Sequence, residues 1–251
     1  MMALGVTVKV SEKSKGFGGA GKLHHEIIKE LGPDKAWNPL QFGNPANIQT
    51  HFENTGPEIW EQCGGNIDAI VAAYGTGGTL SGVTKFLRSK NPDFKCIAVE
   101  AMENSQLNGD KPGPHGIQGI SPPFIPTNVK VEEVDEVLRC PTKEAMKTAK
   151  ALAKTEGIAV GISAGANVWA ACKVASRPEM KGKRIVTILP SAAERYMSTN
   201  LYKDLMEEAK NLTPTDFDPS TPITPDMKSS MHNLESVKQA GTVFREGFHV
   251  E

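Results

Sequence analysis

The four cysteines, Cys63, Cys96, Cys140 and Cys172, stand far apart and form no CxxC pair. That spacing gives no sign of a disulfide framework or of a zinc ribbon. The thiols are expected to be reduced and mostly buried, as in a cytoplasmic compartment, and no metal site is expected. No apolar run is long enough to cross a bilayer. Met1-Met2-Ala3-Leu4 has no basic segment ahead of a long apolar core, so no secretory leader is expected. Neither sign of charge dominates: Lys+Arg 28 against Asp+Glu 29 leaves a net charge of -1. Such a surface gives no general attraction for nucleic acid or an anionic membrane. With 251 residues, 39% hydrophobic and 23% charged, the chain has material for one large soluble domain or two small ones.

The most informative stretch is Gly75-Thr76-Gly77-Gly78-Thr79. It follows an apolar run at 67–74 that reads as a buried strand. It precedes Leu80, Val83, Phe86 and Leu87, which share one face at helical spacing. Strand, glycine turn and helix together form an anion cradle. Glycine lets several backbone N–H groups converge, and the helix start adds unpaired donors and partial positive charge. A phosphate dianion fits there, and Thr76 and Thr79 can add hydroxyl donors.

Elsewhere the pattern alternates. Residues 4–10 and 37–42 read as short strands, and 15–22 as a flexible glycine turn whose spacing does not match a nucleotide-binding P-loop. A helix is expected at 23–31, ended by Gly32-Pro33. His24-His25-Glu26 lacks a second histidine at ligand spacing and reads as a solvated face. Residues 42–47 read as a turn-rich crossing. Thr55-Gly56-Pro57-Glu58 should start a helix, with Thr55 or Gly56 capping and Ile59 and Trp60 facing a core. Strands are expected at 95–100, 134–138, 158–162 and 184–189, with an amphipathic helix at 142–156. Ser163-Ala164-Gly165 reads as a turn opening a helix at 166–175. Residues 109–126, with four glycines and five prolines, form a long functional or mobile loop. This order predicts an α/β fold with a parallel sheet covered on both faces. Ligands then sit beyond the carboxyl ends of the strands, which groups residues 75–79, 163–165 and Ser191 on one rim. After Leu212 the proline-rich stretch 213–225 reads as a disordered linker, and 236–251 as a short helix at most.

Several segments match one family in order. They are Asn44-Pro45-Ala46-Asn47, Thr55-Gly56-Pro57-Glu58-Ile59-Trp60, Gly75-Thr76-Gly77-Gly78-Thr79 and Lys111-Pro112-Gly113-Pro114-His115. Ile117-Gln118-Gly119-Ile120, Gly161-Ile162-Ser163-Ala164-Gly165-Ala166 and Pro190-Ser191-Ala192-Ala193-Glu194-Arg195-Tyr196-Met197-Ser198-Thr199 complete the series. Most of residues 4–205 thus resembles cysteine synthase (O-acetylserine sulfhydrylase), of the cysteine synthase–cystathionine β-synthase family. The resemblance implies a pyridoxal-phosphate enzyme of fold type II, tryptophan synthase β-like in architecture. Residues 1–43 would be a remnant of an incomplete smaller N-terminal domain, 44–212 the larger cofactor-binding domain and 213–251 a weakly ordered tail.

Roles follow from the resemblance. Gly75, Thr76, Gly77, Gly78 and Thr79 would hold the phosphate of pyridoxal 5'-phosphate. Ser191 would offer its hydroxyl to the pyridine nitrogen. A hydroxyl does not protonate that nitrogen as a carboxylate does, which suits β-elimination and replacement. Gly119 and Ile120 would line the substrate side. The implied reaction makes L-cysteine from O-acetylserine and sulfide. The implied partners are a second copy in a homodimer and the C-terminal tail of serine acetyltransferase, docked in the cleft. Cystathionine β-synthase is a related alternative, but it usually has aspartate where Ser191 stands and a different run for Glu194-Arg195-Tyr196. The family's cofactor-bearing lysine and its Thr-Ser-Gly-Asn-Thr-Gly carboxylate loop lie upstream of the matched residues. No catalytic residue is therefore assigned in this chain, and a non-catalytic binding paralogue is a further alternative. Ile120-Ser121-Pro122-Pro123-Phe124 replaces a more glycine-rich family run and should stiffen that loop.

Overall fold

A computed structural model describes residues 1–214. The stretches 213–225 and 236–251, read as linker and tail, lie almost wholly outside the described residues. The elements in chain order are α1 (Gly16–Leu31), α2 (Pro45–Thr50), α3 (Gly56–Gln62), β1 (Ala69–Ala73), α4 (Gly78–Lys90), β2 (Lys95–Ala101), β3 (Glu136–Cys140), α5 (Thr142–Glu156), α6 (Ile162–Ala175), β4 (Ile185–Thr187) and α7 (Lys203–Lys210).

The four strands form a parallel sheet in the order β3-β2-β1-β4. Register runs from Ala69↔Lys95 to Ala73↔Val99 between β1 and β2, and from Ile97↔Glu136 to Ala101↔Cys140 between β2 and β3. Alternation sorts the strand residues onto two faces. Ile70, Ala72, Cys96 and Ala98 pack with Leu80, Val83 and Leu87 of α4 and with Ile59 and Trp60 of α3. Val71, Ile97, Val99 and Ala101 pack with Ala145, Ala149 and Leu152 of α5 and with Ala166, Val168 and Ala170 of α6. The expected α/β architecture, helices on both faces of a parallel sheet, is what the chain forms. Burial holds Cys96 and Cys140 as free thiols and pushes their pKa values up to about 11 and about 12.

The N-terminal readings need correction. Residues 4–10 are not a strand. Val6, Val8 and Val10 alternate, but they are exposed and pair with no described strand. The glycine run at 15–22 is no turn either. It opens α1, where Ala20, Leu23, Ile27 and Leu31 keep helical spacing that outweighs the cost of three interior glycines. The end at Gly32 is as expected. Residues 37–42 form turns: the Asn38 side chain accepts from Leu40 N–H at 3.0 Å, and Gly43 N–H donates to the Leu40 carbonyl at 2.8 Å. Such local bonds compete with strand pairing. The crossing at 42–47 is a helix start, with the Asn44 side chain capping Ala46 N–H. A π-helical turn at His51–Thr55 joins α2 to α3, so Thr55 continues a helix and caps nothing. No described side chain before Gly56 is buried.

Residues 158–162 also differ from expectation. Val160 makes a single antiparallel bridge to Ala192, and Ile162 already belongs to α6. Ser163, Ala164 and Gly165 are therefore the first turn of a helix and not a loop. β4 stops at Thr187, short of 189, because β1 and β4 part beyond the pair Val71↔Thr187.

At the outer edge of the sheet Arg177 grips Glu136 through two hydrogen bonds of 2.7 Å. The guanidinium beside it holds the Glu136 carboxyl below the usual carboxylate range. A depressed folded-state pKa adds stability that is present above the ordinary glutamate range. That stability is lost as pH falls through the folded value. Arg177→Met should therefore lower stability at neutral pH and leave it unchanged in acid. Both side chains are about a third exposed (31% and 36%), so the difference should stay below about 1 kcal/mol. Urea titrations at about pH 7 and about pH 3.5 check it, and an equal loss at both would assign the pair a packing role only.

Candidate active site

β1, β2 and β3 succeed one another outward, and β4 then returns to the opposite side of β1. The crevice between β1 and β4 is thus the topological switch point, where open α/β sheets place ligands. Asn167 of α6 fills the gap where the strands part. Its Oδ1 accepts from Ala73 N–H and its Nδ2 donates to the Ile188 carbonyl, both at 2.7 Å. One side chain satisfies the two backbone groups that strand divergence leaves unpaired.

The glycine turn leaves β1 on one side of this crevice, and Ser191 follows β4 on the other. Because the strands are parallel, both stand at the same end of the sheet. The start of α6 is tied to the second of them, as Gly161 N–H donates to the Ser191 carbonyl at 3.0 Å. The Ser191 hydroxyl lies 2.9 Å from that of the buried Tyr196. If Tyr196 donates, the Ser191 proton is free for a ring nitrogen.

Each glycine of the turn meets a steric demand. A Cβ at Gly75 would sit 2.5 Å from the Gly119 carbonyl oxygen. Gly77 precedes α4 in the left-handed region (φ 90°), against Val129. A Cβ at Gly78 would run into the Asn47 side chain. Neighbouring groups pack up to the glycines of the turn, which leads directly into the N-terminal turn of α4. The first amides of that helix have no intrahelical partner. A phosphate fits this donor set, and the Ser191 hydroxyl stands across the crevice at the same end of the sheet.

The loop carrying Gly119 and Ile120 reaches the same turn, where the Gly119 carbonyl lies against Gly75. Gly119 is exposed, whereas the Ile120 side chain is buried in the core shared with α5 and α6. Ser121 has φ 46°, a conformation costly for a residue with a Cβ. It is held there by four hydrogen bonds. Ser121 N–H donates to the Tyr74 carbonyl at 3.0 Å, and Oγ accepts from Ala101 N–H at 3.0 Å. Its carbonyl accepts from Asn104 Nδ2 at 2.7 Å and lies 3.1 Å from His115 Nε2. The loop is stiff through these bonds as well as through Pro122 and Pro123.

Three contributors escaped the sequence reading. Glu100, fully buried on β2, accepts from the Tyr74 hydroxyl at 2.5 Å, Ser105 Oγ at 2.7 Å and Leu107 N–H at 3.1 Å. It fixes Tyr74, the residue before the turn. Asn47 of α2 donates through Nδ2 to Thr76 Oγ1 at 2.9 Å, and His51 in the π turn places Nε2 3.1 Å from Thr79 Oγ1. The offset of four between Asn47 and His51, one helical turn, was the available signal.

An open parallel sheet with an anion cradle and a facing hydroxyl at its switch point defines an α/β protein built for a phosphorylated cofactor. A family model described as "Pyridoxal-phosphate dependent enzyme" matches residues 1–191, and the chain belongs to that family. It is 43% identical over 213 residues to "Cysteine synthase 3" of Caenorhabditis elegans, covering 85% of this chain and 63% of that protein. It is 43% identical over 216 residues to "Cysteine synthase A" of Escherichia coli (strain K12), covering 83% of this chain and 67% of that protein. The crystal structure of cysteine synthase from Entamoeba histolytica superposes with a TM-score of 0.77 at 42% identity, over 86% of this chain and 61% of that one. The chain thus spans a little under two thirds of the length of the first of these relatives. No described helix is long and apolar enough to cross a membrane.

Proposed function

We propose that this chain carries the pyridoxal-phosphate site of a cysteine synthase, which makes L-cysteine from O-acetylserine and sulfide by β-replacement. One observation carries the reading: Gly75–Thr79 and Ser191 flank the β1–β4 crevice at the same end of the sheet, and Asn167 of α6 ties the two strands together below them. When bound, pyridoxal phosphate supplies an electron sink for loss of an α-proton and a β-leaving group. The residues do the rest. The amides of Gly77, Gly78 and Thr79 and the hydroxyls of Thr76 and Thr79 bind the phosphate. Ser191 orients the ring without protonating it, with its own hydroxyl held by Tyr196. Gly119 offers backbone on the substrate side, and the Ser121 bonds keep that backbone in place. Ser191 and Glu194-Arg195-Tyr196 favour this reading over a cystathionine β-synthase.

The reading extends to a remnant of a smaller N-terminal domain over residues 1–43, to a homodimer in the cytoplasm and to docking of a serine acetyltransferase tail in the cleft. These rest on the family resemblance. The lysine that carries the cofactor is assigned to a segment upstream of the matched residues. The chain by itself is then expected to bind pyridoxal phosphate without turning over O-acetylserine. Equilibrium dialysis with pyridoxal phosphate, then borohydride reduction and peptide mapping, tests this. Binding without a labelled lysine is the expected result. Absence of binding would overturn the cofactor assignment, and a single labelled lysine would return the catalytic role to this chain.

A further inference from the structure

The Thr76 and Thr79 hydroxyls can serve an anion only if their protons are free, since a hydroxyl that spends its proton elsewhere presents lone pairs to the phosphate. We infer that Asn47 and His51 are positioning residues that donate to these two hydroxyl oxygens from behind and leave both protons for the phosphate. The inference rests on the cofactor reading above and adds the direction of each hydrogen bond.

For Asn47 the orientation follows from a third group. Its Nδ2 lies 2.8 Å from the Gln41 carbonyl as well as 2.9 Å from Thr76 Oγ1. A flipped amide would set oxygen against the Gln41 oxygen, so nitrogen must stand there. An amide nitrogen has two protons and no free lone pair. One proton goes to Gln41 and the other to Thr76, which therefore accepts.

His51 is settled by its two neighbours. Nδ1 lies 2.9 Å from Thr55 Oγ1 and Nε2 lies 3.1 Å from Thr79 Oγ1. Burial lowers its pKa, which keeps the ring neutral with one donor and one acceptor nitrogen. If Nε2 were bare, Thr79 would give its proton to the ring and face the phosphate with lone pairs. With the proton on Nε2, the Thr55 hydroxyl donates to Nδ1, Nε2–H donates to Thr79, and the Thr79 proton points at the ligand. A bound dianion selects the second arrangement. The π-helical turn supplies the geometry: it brings the Thr55 hydroxyl against His51 Nδ1 on a stretch of helix packed against Gly82 of α4.

The test compares pyridoxal phosphate with pyridoxal, which lacks the phosphate, by equilibrium dialysis on the full chain. The readout is the ratio of the two affinities. His51→Phe removes the donor and should lower the ratio about tenfold, as for one lost hydrogen bond to a charged group. His51→Gln keeps an N–H at similar reach and should stay within about threefold of the parent. Asn47→Asp turns the Thr76 proton away from the ligand and should lower the ratio by about tenfold or more. Thr55→Val touches no ligand atom and should still lower it a few-fold by releasing the ring tautomer. A measurement without substitution covers variants that fail to fold: 15N spectra of the parent with pyridoxal phosphate should show His51 protonated on Nε2. Protonation on Nδ1, or equal ratios for His51→Phe and His51→Gln, would overturn the inference and leave the cofactor assignment standing. A parent that binds no pyridoxal phosphate would overturn both.

Discussion

Gly78→Ala should weaken pyridoxal-phosphate binding by about a hundredfold, the equivalent of about 2.7 kcal/mol. The added Cβ would lie 2.5 Å from Asn47 Cγ and 3.1 Å from Nδ2. Asn47 cannot simply swing aside, because Nδ2 is tied to both Gln41 and Thr76. Either the amide leaves both partners or the first turn of α4 backs away from it. In the first case Thr76 loses the donor that frees its proton. In the second the amides of Gly78 and Thr79 no longer converge on the phosphate. Charge-assisted hydrogen bonds are lost either way. A double-mutant cycle separates the steric cause from a general weakening of the helix. In an Asn47→Ala background the obstruction is gone, so Gly78→Ala should cost little beyond Asn47→Ala itself. Dialysis of all four proteins checks this, and fully additive losses would exclude Asn47 as the obstructing group.

The turn was legible in the sequence because everything that forms it is local. An apolar strand, a glycine run and a helical face follow one another within some twenty residues. The helix at 142–156 was legible to the residue for the same reason. What supports the turn was not. Asn47 lies 29 residues before Thr76, and His51 lies 28 before Thr79. Nothing in the local pattern of α2 says that its polar face will meet α4. Glu100 was hidden differently: a carboxylate within an apolar strand looks like a strand end. Its burial makes sense only once Tyr74, Ser105 and Leu107 are known to surround it. The strand expected at 4–10 failed for want of a partner, since alternation describes a face and cannot supply the neighbour that completes a sheet. Parallel strand order puts residues 75–79 and Ser191 at one end whatever their separation in the chain.

Gly165→Ala should destabilise the protein by about 3 kcal/mol, at the upper end of the cost of overpacking. In the sequence this glycine looked like part of a turn, where an alanine would be a minor change. In the molecule it lies in the first turn of α6 and faces the backbone of α5. A Cβ there would collide with the Ala145 carbonyl oxygen and would stand 2.8 Å from Ala149 N and 3.0 Å from Ala145 C. All three are backbone atoms in a helix, so no rotamer change relieves the contact and the helices must separate. Separation loosens the core of Ala145, Ala149, Leu152, Ala166 and Val168. It also shifts Asn167, which holds β1 and β4 apart at the crevice. The gain of about 1 kcal/mol in helix propensity from glycine to alanine offsets only part of this. For a chain of this size the loss corresponds to a fall in Tm of roughly 6–12 °C. Gly18→Ala in α1 is the matched control. That glycine is also helical, but a Cβ there meets nothing within 4 Å. Propensity then acts alone, and the control should be neutral or up to about 1 kcal/mol more stable. Thermal melts of the two variants beside the parent decide the matter. A Gly165→Ala protein melting with the parent would mean that α5 and α6 do not approach this closely, and the placement of Asn167 at the crevice would fall with it.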